Sequence, residues 1–128
     1  MKKNGLFDKL NGYLSKVPSI NGTIGADVFK DTGWWVKFQI DIEHSLAWNV
    51  VQEMGFVLNY ISISERLPTT FYPVSPPPYL NGGPKEFLSW VIECRENEFT
   101  PDICMEWLEG RLPRPVDDFS QWEVSDDE

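Results

Sequence analysis

Apolar and polar positions alternate most regularly in the segment DTGWWVKFQIDI, where Trp34, Val36, Phe38, Ile40 and Ile42 face one way and Trp35, Lys37, Gln39 and Asp41 the other. A two-residue period belongs to a strand buried on one face. The preceding stretch, Thr23–Phe29, is also compatible with a strand, and Lys30-Asp31-Thr32-Gly33 supplies turn residues between the two runs. Residues 23–42 are therefore expected to form a β-hairpin. Upstream the period lengthens: Leu6, Leu10, Tyr13, Leu14 and Val17 recur every three or four residues, which predicts an amphipathic helix within 5–17, stopped by Pro18. Ser19-Ile20-Asn21-Gly22 then reads as a turn.

Beyond the hairpin, Leu46, Val50, Val51 and Met54 share one helical face, with Gly55 where a left-handed residue would end a helix over 44–54. A helix is the expected element; Trp48, Val50 and Val51 also suit a strand, which stays open as the rival reading. Residues 56–63 and 69–74 both read as extended and suggest a second antiparallel pair, the later strand at an edge because Pro73 has no amide to donate. The breaker-rich stretch 75–84, with prolines at 76, 77 and 78, reads as a stiff connector, the alternative being a ligand for a proline-binding module. Pro84 at a first helical position and Phe87, Leu88, Val91, Ile92 and Arg95 behind it predict a helix over 84–96. Thr100 as N-cap, Pro101 at N1, Asp102 in the first turn and Gly110 beyond the last predict another over 101–109. The expected architecture is α+β, an antiparallel sheet of about four strands with helices packed on one face. A single domain over 1–116 is expected, followed by an acidic, flexible tail at 117–128 in which Phe119 and Trp122 are large enough to fold back.

Composition agrees with one core: 128 residues, 41% apolar and 14% aromatic, suffice for a single domain. No run approaches the ~20 apolar residues of a membrane span. Lys2 and Lys3 are followed by Asp8, Lys9, Asn11 and Lys16 in place of the apolar stretch of a signal peptide, so a cytoplasmic protein is expected. Cys94 and Cys104 then read as reduced core thiols. Charge changes the picture more. Residues 1–40 hold six Lys and three Asp, net +3, whereas 41–128 hold five Lys and Arg against seventeen Asp and Glu, net −12. That field disfavours phosphate backbones and anionic membranes and favours a basic protein partner.

Candidate chemistry is sparse. His44 beside Glu43 has no G-x-S-x-G or comparable nucleophile motif to serve, and a capping or surface role is expected. The two cysteines lack the C-x-x-C or H-x-x-x-H companions of a zinc site, and neither phosphate-loop pattern occurs. Carboxylates are so numerous that no single pair singles itself out for glycosidase-like work. Neither catalysis, nor a cofactor, nor a metal is expected. Asp102, Glu106 and Glu109 fall at offsets of four and seven on the terminal helix, opposite Ile103, Cys104, Trp107 and Leu108. Glu93, Glu96 and Glu98 precede them, and Asp117 and Asp118 follow. These eight residues are the candidate docking surface for a basic partner; the plainer alternative is a solvated face that aids solubility.

Two segments carry a family resemblance: DTGWWVKFQIDI, a turn followed by Gly-Trp and an alternating strand, and NGGPKEFLSWV, a Gly-Gly-Pro lead into a helix near a Trp. With these the chain resembles the immunity proteins of bacterial polymorphic toxin systems, including contact-dependent growth inhibition. The resemblance implies a small acidic cytoplasmic antitoxin that binds the toxic C-terminal domain of a cognate effector, often a nuclease, and blocks it. It implies no catalytic residues. A second class open to such a sequence is a small acidic adaptor or assembly chaperone for a basic, non-toxic protein, and a third is an enzyme using surface carboxylates.

Overall fold

The structure, a computed structural model, describes residues 5–60, 68–74 and 89–123. The proline-rich connector expected at 75–84 and the last five residues lie outside them, as do 61–67 and 85–88. Strand β2 (Trp34–Ile40) realises the alternation, with Trp34, Val36, Phe38 and Ile40 buried and Trp35, Lys37 and Gln39 half-buried. It pairs antiparallel with β1 (Ile20–Val28), Val28 opposite Trp34 and Ile20 opposite Ile40. The hairpin thus forms, but its first strand starts earlier than expected. Ser19 adopts a positive φ of 75° and so swings Ile20 into the core, and the chain enters the sheet where a turn over 19–22 was expected. Register shifts after Ile20 and Thr23 bend β1 along its outer edge.

The sheet has four antiparallel strands in the order β1-β2-β4-β3, with β3 at Thr69–Val74 and β4 at Ser89–Cys94. The helix expected over 84–96 is therefore corrected: 89–94 is the strand inserted between β2 and β3. The cause is burial on both faces. Ile92 and Trp90 point into the core with Phe38 and Phe71, yet Val91 and Ser89 on the opposite face are also buried. A strand covered on both sides has consecutive apolar residues, which periodicity alone does not distinguish from a helix. The helical half of the NGGPKEFLSWV resemblance fails for Ser89-Trp90-Val91 on the same ground.

The segment 44–54 is helical: α2 spans Ala47–Gly55. Gly55 does not stop it. Phe56 remains right-handed helical and the chain continues as a π-helical turn, Phe56–Tyr60, so the strand expected at 56–63 does not start there. Val57 and Leu58 are buried in succession after Met54, which the wider turn permits. Asn59 next acts as a substitute strand for the edge of β3. Its carboxamide donates to the Phe71 carbonyl at 3.0 Å and accepts the Phe71 amide at 2.9 Å, while Thr69 Oγ1 donates to the Leu58 carbonyl at 2.9 Å. Since the Phe71 amide points away from β4, so does the position of the amide that Pro73 lacks, and the proline does no harm on this edge.

Helix α1 (Asp8–Leu14), α2 and α3 (Pro101–Arg111) close one face of the sheet, contributing Leu10, Leu14, Val50, Met54, Cys104 and Leu108 to a single core. Phe71 stacks between Phe38 and Trp90 at centroid distances of 6.2 and 5.1 Å. The packed domain runs past residue 116: Trp122, on a 3-10 turn at Phe119–Trp122, is buried and donates from its indole to the Val116 carbonyl at 2.8 Å. Phe119 stays half exposed against the His44 ring.

Gly33 has φ of 97°, and a Cβ there would collide with the Cys94 carbonyl oxygen and the Arg95 Cα. Gly33→Ala is expected to lower unfolding free energy by about 3 kcal/mol or more, since strain and a backbone clash combine. Asn59→Ala, which strips both hydrogen bonds from the Phe71 backbone, is expected to cost about 2 kcal/mol. Urea unfolding followed by tryptophan fluorescence measures both; an unchanged midpoint for either variant would refute the corresponding contact.

Candidate functional site

Helix α3 begins as expected, with Pro101 at its first position and Thr100 Oγ1 accepting the Ile103 amide at 3.2 Å. It continues through Gly110 to Arg111, two residues further than its glycine suggested, and leaves in extended geometry at Leu112. Cys104 and Leu108 are buried and Ile103 and Trp107 half-buried, so the inward face is the expected one. Glu106 and Glu109 are exposed. Asp102 is not their equal: it is half-buried, and one of its carboxylate oxygens is enclosed with no hydrogen-bond partner.

The remaining candidate carboxylates divide in the same way. Glu93, on β4, is committed to a network on the outer side of the sheet. Its Oε1 accepts the Tyr72 hydroxyl at 2.8 Å, its Oε2 accepts Arg95 Nη2 at 2.7 Å and Nε at 2.9 Å, and the guanidinium lies 3.6 Å over the Phe29 ring. That hydrogen bond is the main cause of the raised pKa of Tyr72. Asp118 caps the 3-10 turn, accepting from Ser120 Oγ at 2.7 Å and from its amide at 3.0 Å, and these donors hold its carboxyl below the usual range. Glu96 and Glu98 are exposed on the loop between β4 and α3, and Asp117 is exposed after α3. Of the eight candidates, Glu96, Glu98, Glu106, Glu109 and Asp117 are thus outward-facing with no ion-pair partner among the described residues. They occupy α3, about 16 Å long, and the loops at its two ends.

A feature without a sequence signal lies at the C-terminal end of that face. Tyr13 and Lys16 from α1 and its following turn meet Glu109, Arg114, Val116 and Asp117 around a cleft of about 250 Å³. The Tyr13 ring is buried and its hydroxyl has no hydrogen-bond partner; burial, and secondarily the Glu109 charge, push its pKa up. Nearly a hundred residues separate the two walls, so only the packing of α1 on α3 reveals the site.

His44 is placed as a local capping group, its Nδ1 accepting the Leu46 amide at 3.0 Å in the turn before α2. Among the described residues no group of His, Cys, Asp or Glu is arranged to hold a metal ion, and no helix is long and apolar enough to cross a membrane. Cys94 and Cys104 are free, buried thiols, and burial pushes both thiol pKa values up. Cys94 Sγ points to the Glu96 and Phe99 carbonyls at 3.4 and 3.6 Å.

Because the folded state holds the two thiols and Tyr13 above their ordinary values of 9.0 and 10.0, their contribution is complete below pH 9 and is lost as the pH rises through and beyond that point. The urea midpoint is expected to fall between about pH 8 and about pH 10.5, and a thiol reagent at about pH 8 to modify both cysteines only as fast as the protein unfolds. Rapid labelling of the native protein, or a midpoint that rises with pH, would contradict the burial of these groups. No protein-family model, curated protein or solved structure matches the chain.

Proposed function

We propose that this protein is a cytoplasmic immunity protein that binds and neutralises the toxic C-terminal domain of a cognate effector, a domain with the basic surface of a nuclease. The observation that carries the reading is the placement of Glu96, Glu98, Glu106, Glu109 and Asp117, outward-facing and without ion-pair partners among the described residues, on one helix and the two loops that bound it. Desolvating unpaired carboxylates is costly unless cations meet them, and a surface that binds phosphates supplies those cations. On this reading the carboxylates occupy positions that substrate phosphates would otherwise take. Trp107, half-buried in the same helix with Arg111 stacked 3.9 Å over its ring, offers the aromatic contact that commonly anchors such a patch.

Two measurements test it. Expression of the C-terminal domain encoded by the neighbouring reading frame should arrest growth alone and not together with this protein; a harmless neighbour would exclude a toxin–immunity pair. The double substitution Glu106→Lys and Glu109→Lys should slow association with that domain about tenfold or more at low ionic strength and flatten its dependence on salt, as loss of electrostatic steering requires. An unchanged rate and slope would remove the acidic face from the mechanism.

A further inference from the structure

The cleft between α1 and the end of α3 has features that the acidic face alone does not explain. We infer that it is a binding site for a small zwitterion of the α-amino acid class, its ammonium held by Glu109 and Asp117, its carboxylate by Lys16 and Arg114, and its polar edge by the Tyr13 hydroxyl. The inference stands on the geometry of the cleft and not on the immunity reading.

Tyr13 is the starting point. The residue is only 8% exposed, yet its hydroxyl has no partner, whereas buried polar groups are nearly always hydrogen-bonded. Burial keeps the phenol protonated, so it can both donate and accept. The four charged residues around it supply the second observation. Lys16 and Arg114 stand against Glu109 and Asp117, and among the described residues none of the four is ion-paired. Two charges of each sign leave the wall with no net preference. A lone anion placed there meets two carboxylates and a lone cation meets two cations; a molecule carrying both charges meets a complement for each. Size narrows the class further. About 250 Å³ is below the usual range for nucleotide- or drug-sized ligands and is ample for roughly ten non-hydrogen atoms. Lys16 and Arg114 are exposed on long stems, so both can adjust to a carboxylate placed in the cleft.

The test uses the full chain without any partner protein, which separates it from the toxin reading although Glu109 and Asp117 belong to both surfaces. Glutamine, acetate and methylammonium are titrated separately, with the ring resonances of Tyr13 as readout and calorimetry as check. Glutamine should bind saturably, and acetate and methylammonium should each bind at least about tenfold more weakly, having lost one of the two charge complements. Tyr13→Phe, which preserves the ring's packing, should weaken glutamine about tenfold, as loss of one buried hydrogen bond does. Asp117→Asn, on an exposed loop and harmless to the core, should weaken it by a similar factor and keeps the test valid if Tyr13→Phe disturbs folding. Acetate binding as tightly as glutamine would make the cleft a plain anion site and overturn the inference. So would the absence of any Tyr13 response to all three probes at about 10 mM, which would mean that water alone satisfies the phenol.

Discussion

The turn between β1 and β2 has to pass against the end of β4 with no room for a side chain, and Gly33 is the residue that meets this constraint. Around it the hairpin and the C-terminal third of the chain are tied together. The Gly33 amide donates to Asn97 Oδ1 at 2.9 Å, the Trp34 indole donates to the Phe99 carbonyl at 2.7 Å, and Trp34 lies opposite Cys94 in the sheet. Asn97 and Phe99 belong to the loop from which α3 starts, so the seam that admits the central strand also aims the helix bearing the exposed carboxylates. The fold and the candidate surface are linked here through backbone geometry. The contacts of Asn97 and Phe99 with this turn join it to the loop that carries Glu96 and Glu98 and leads into α3.

The opposite edge of the sheet is managed by different means. An unprotected strand edge offers unpaired amides to any other chain. At β3 the Asn59 carboxamide occupies the Phe71 backbone groups, and Pro73 removes the next outward donor. At β1 the two register shifts and the positive-φ Gly22 break the regular spacing a docking strand would need. The π-helical turn follows from this arrangement. A regular α-helix continuing from Gly55 would turn Asn59 by another increment of rotation, and the wider turn is the geometry in which Leu58 is buried while Asn59 faces β3.

What could be read from the sequence follows from how many faces each element buries. Strand β2, α1 and α3 each have one inward and one outward face, so hydrophobic period, Pro18, Thr100 and Pro101 identified them. Strand β4 buries both faces and the 56–60 turn buries two successive residues, so neither has a period to read, and local pattern points to a helix in the first and a strand in the second. The α+β class survived because the fourth strand came from 89–94 in place of 56–63. For the candidate surface, the sequence showed where carboxylates are abundant but not which are already engaged. Glu93 with Tyr72 and Arg95, and Asp118 with Ser120, are held by partners that only the folded chain supplies, and the Asp102 oxygen is enclosed by packing. The cleft had no sequence signal because Tyr13 and Arg114 are neighbours only after α1 docks on α3.

That docking also gives the acidic region a direction. The positive excess of the first forty residues includes Lys16, and the packing of α1 beside α3 sets it, with Arg114, at the C-terminal end of the helix. The N-terminal end carries Glu96 and Glu98, with no cation from the cleft nearby to offset them. Along about 16 Å the surface therefore grades from Glu96 and Glu98, beside an Arg95 already engaged by Glu93, to a patch with two charges of each sign. A uniform acidic surface attracts a basic partner in any orientation. On the proposed reading, a graded one would favour the orientation in which a basic partner's densest positive charge lies over the Glu96–Glu98 end, so the cations of α1 and Arg114 would set the register as much as the carboxylates themselves.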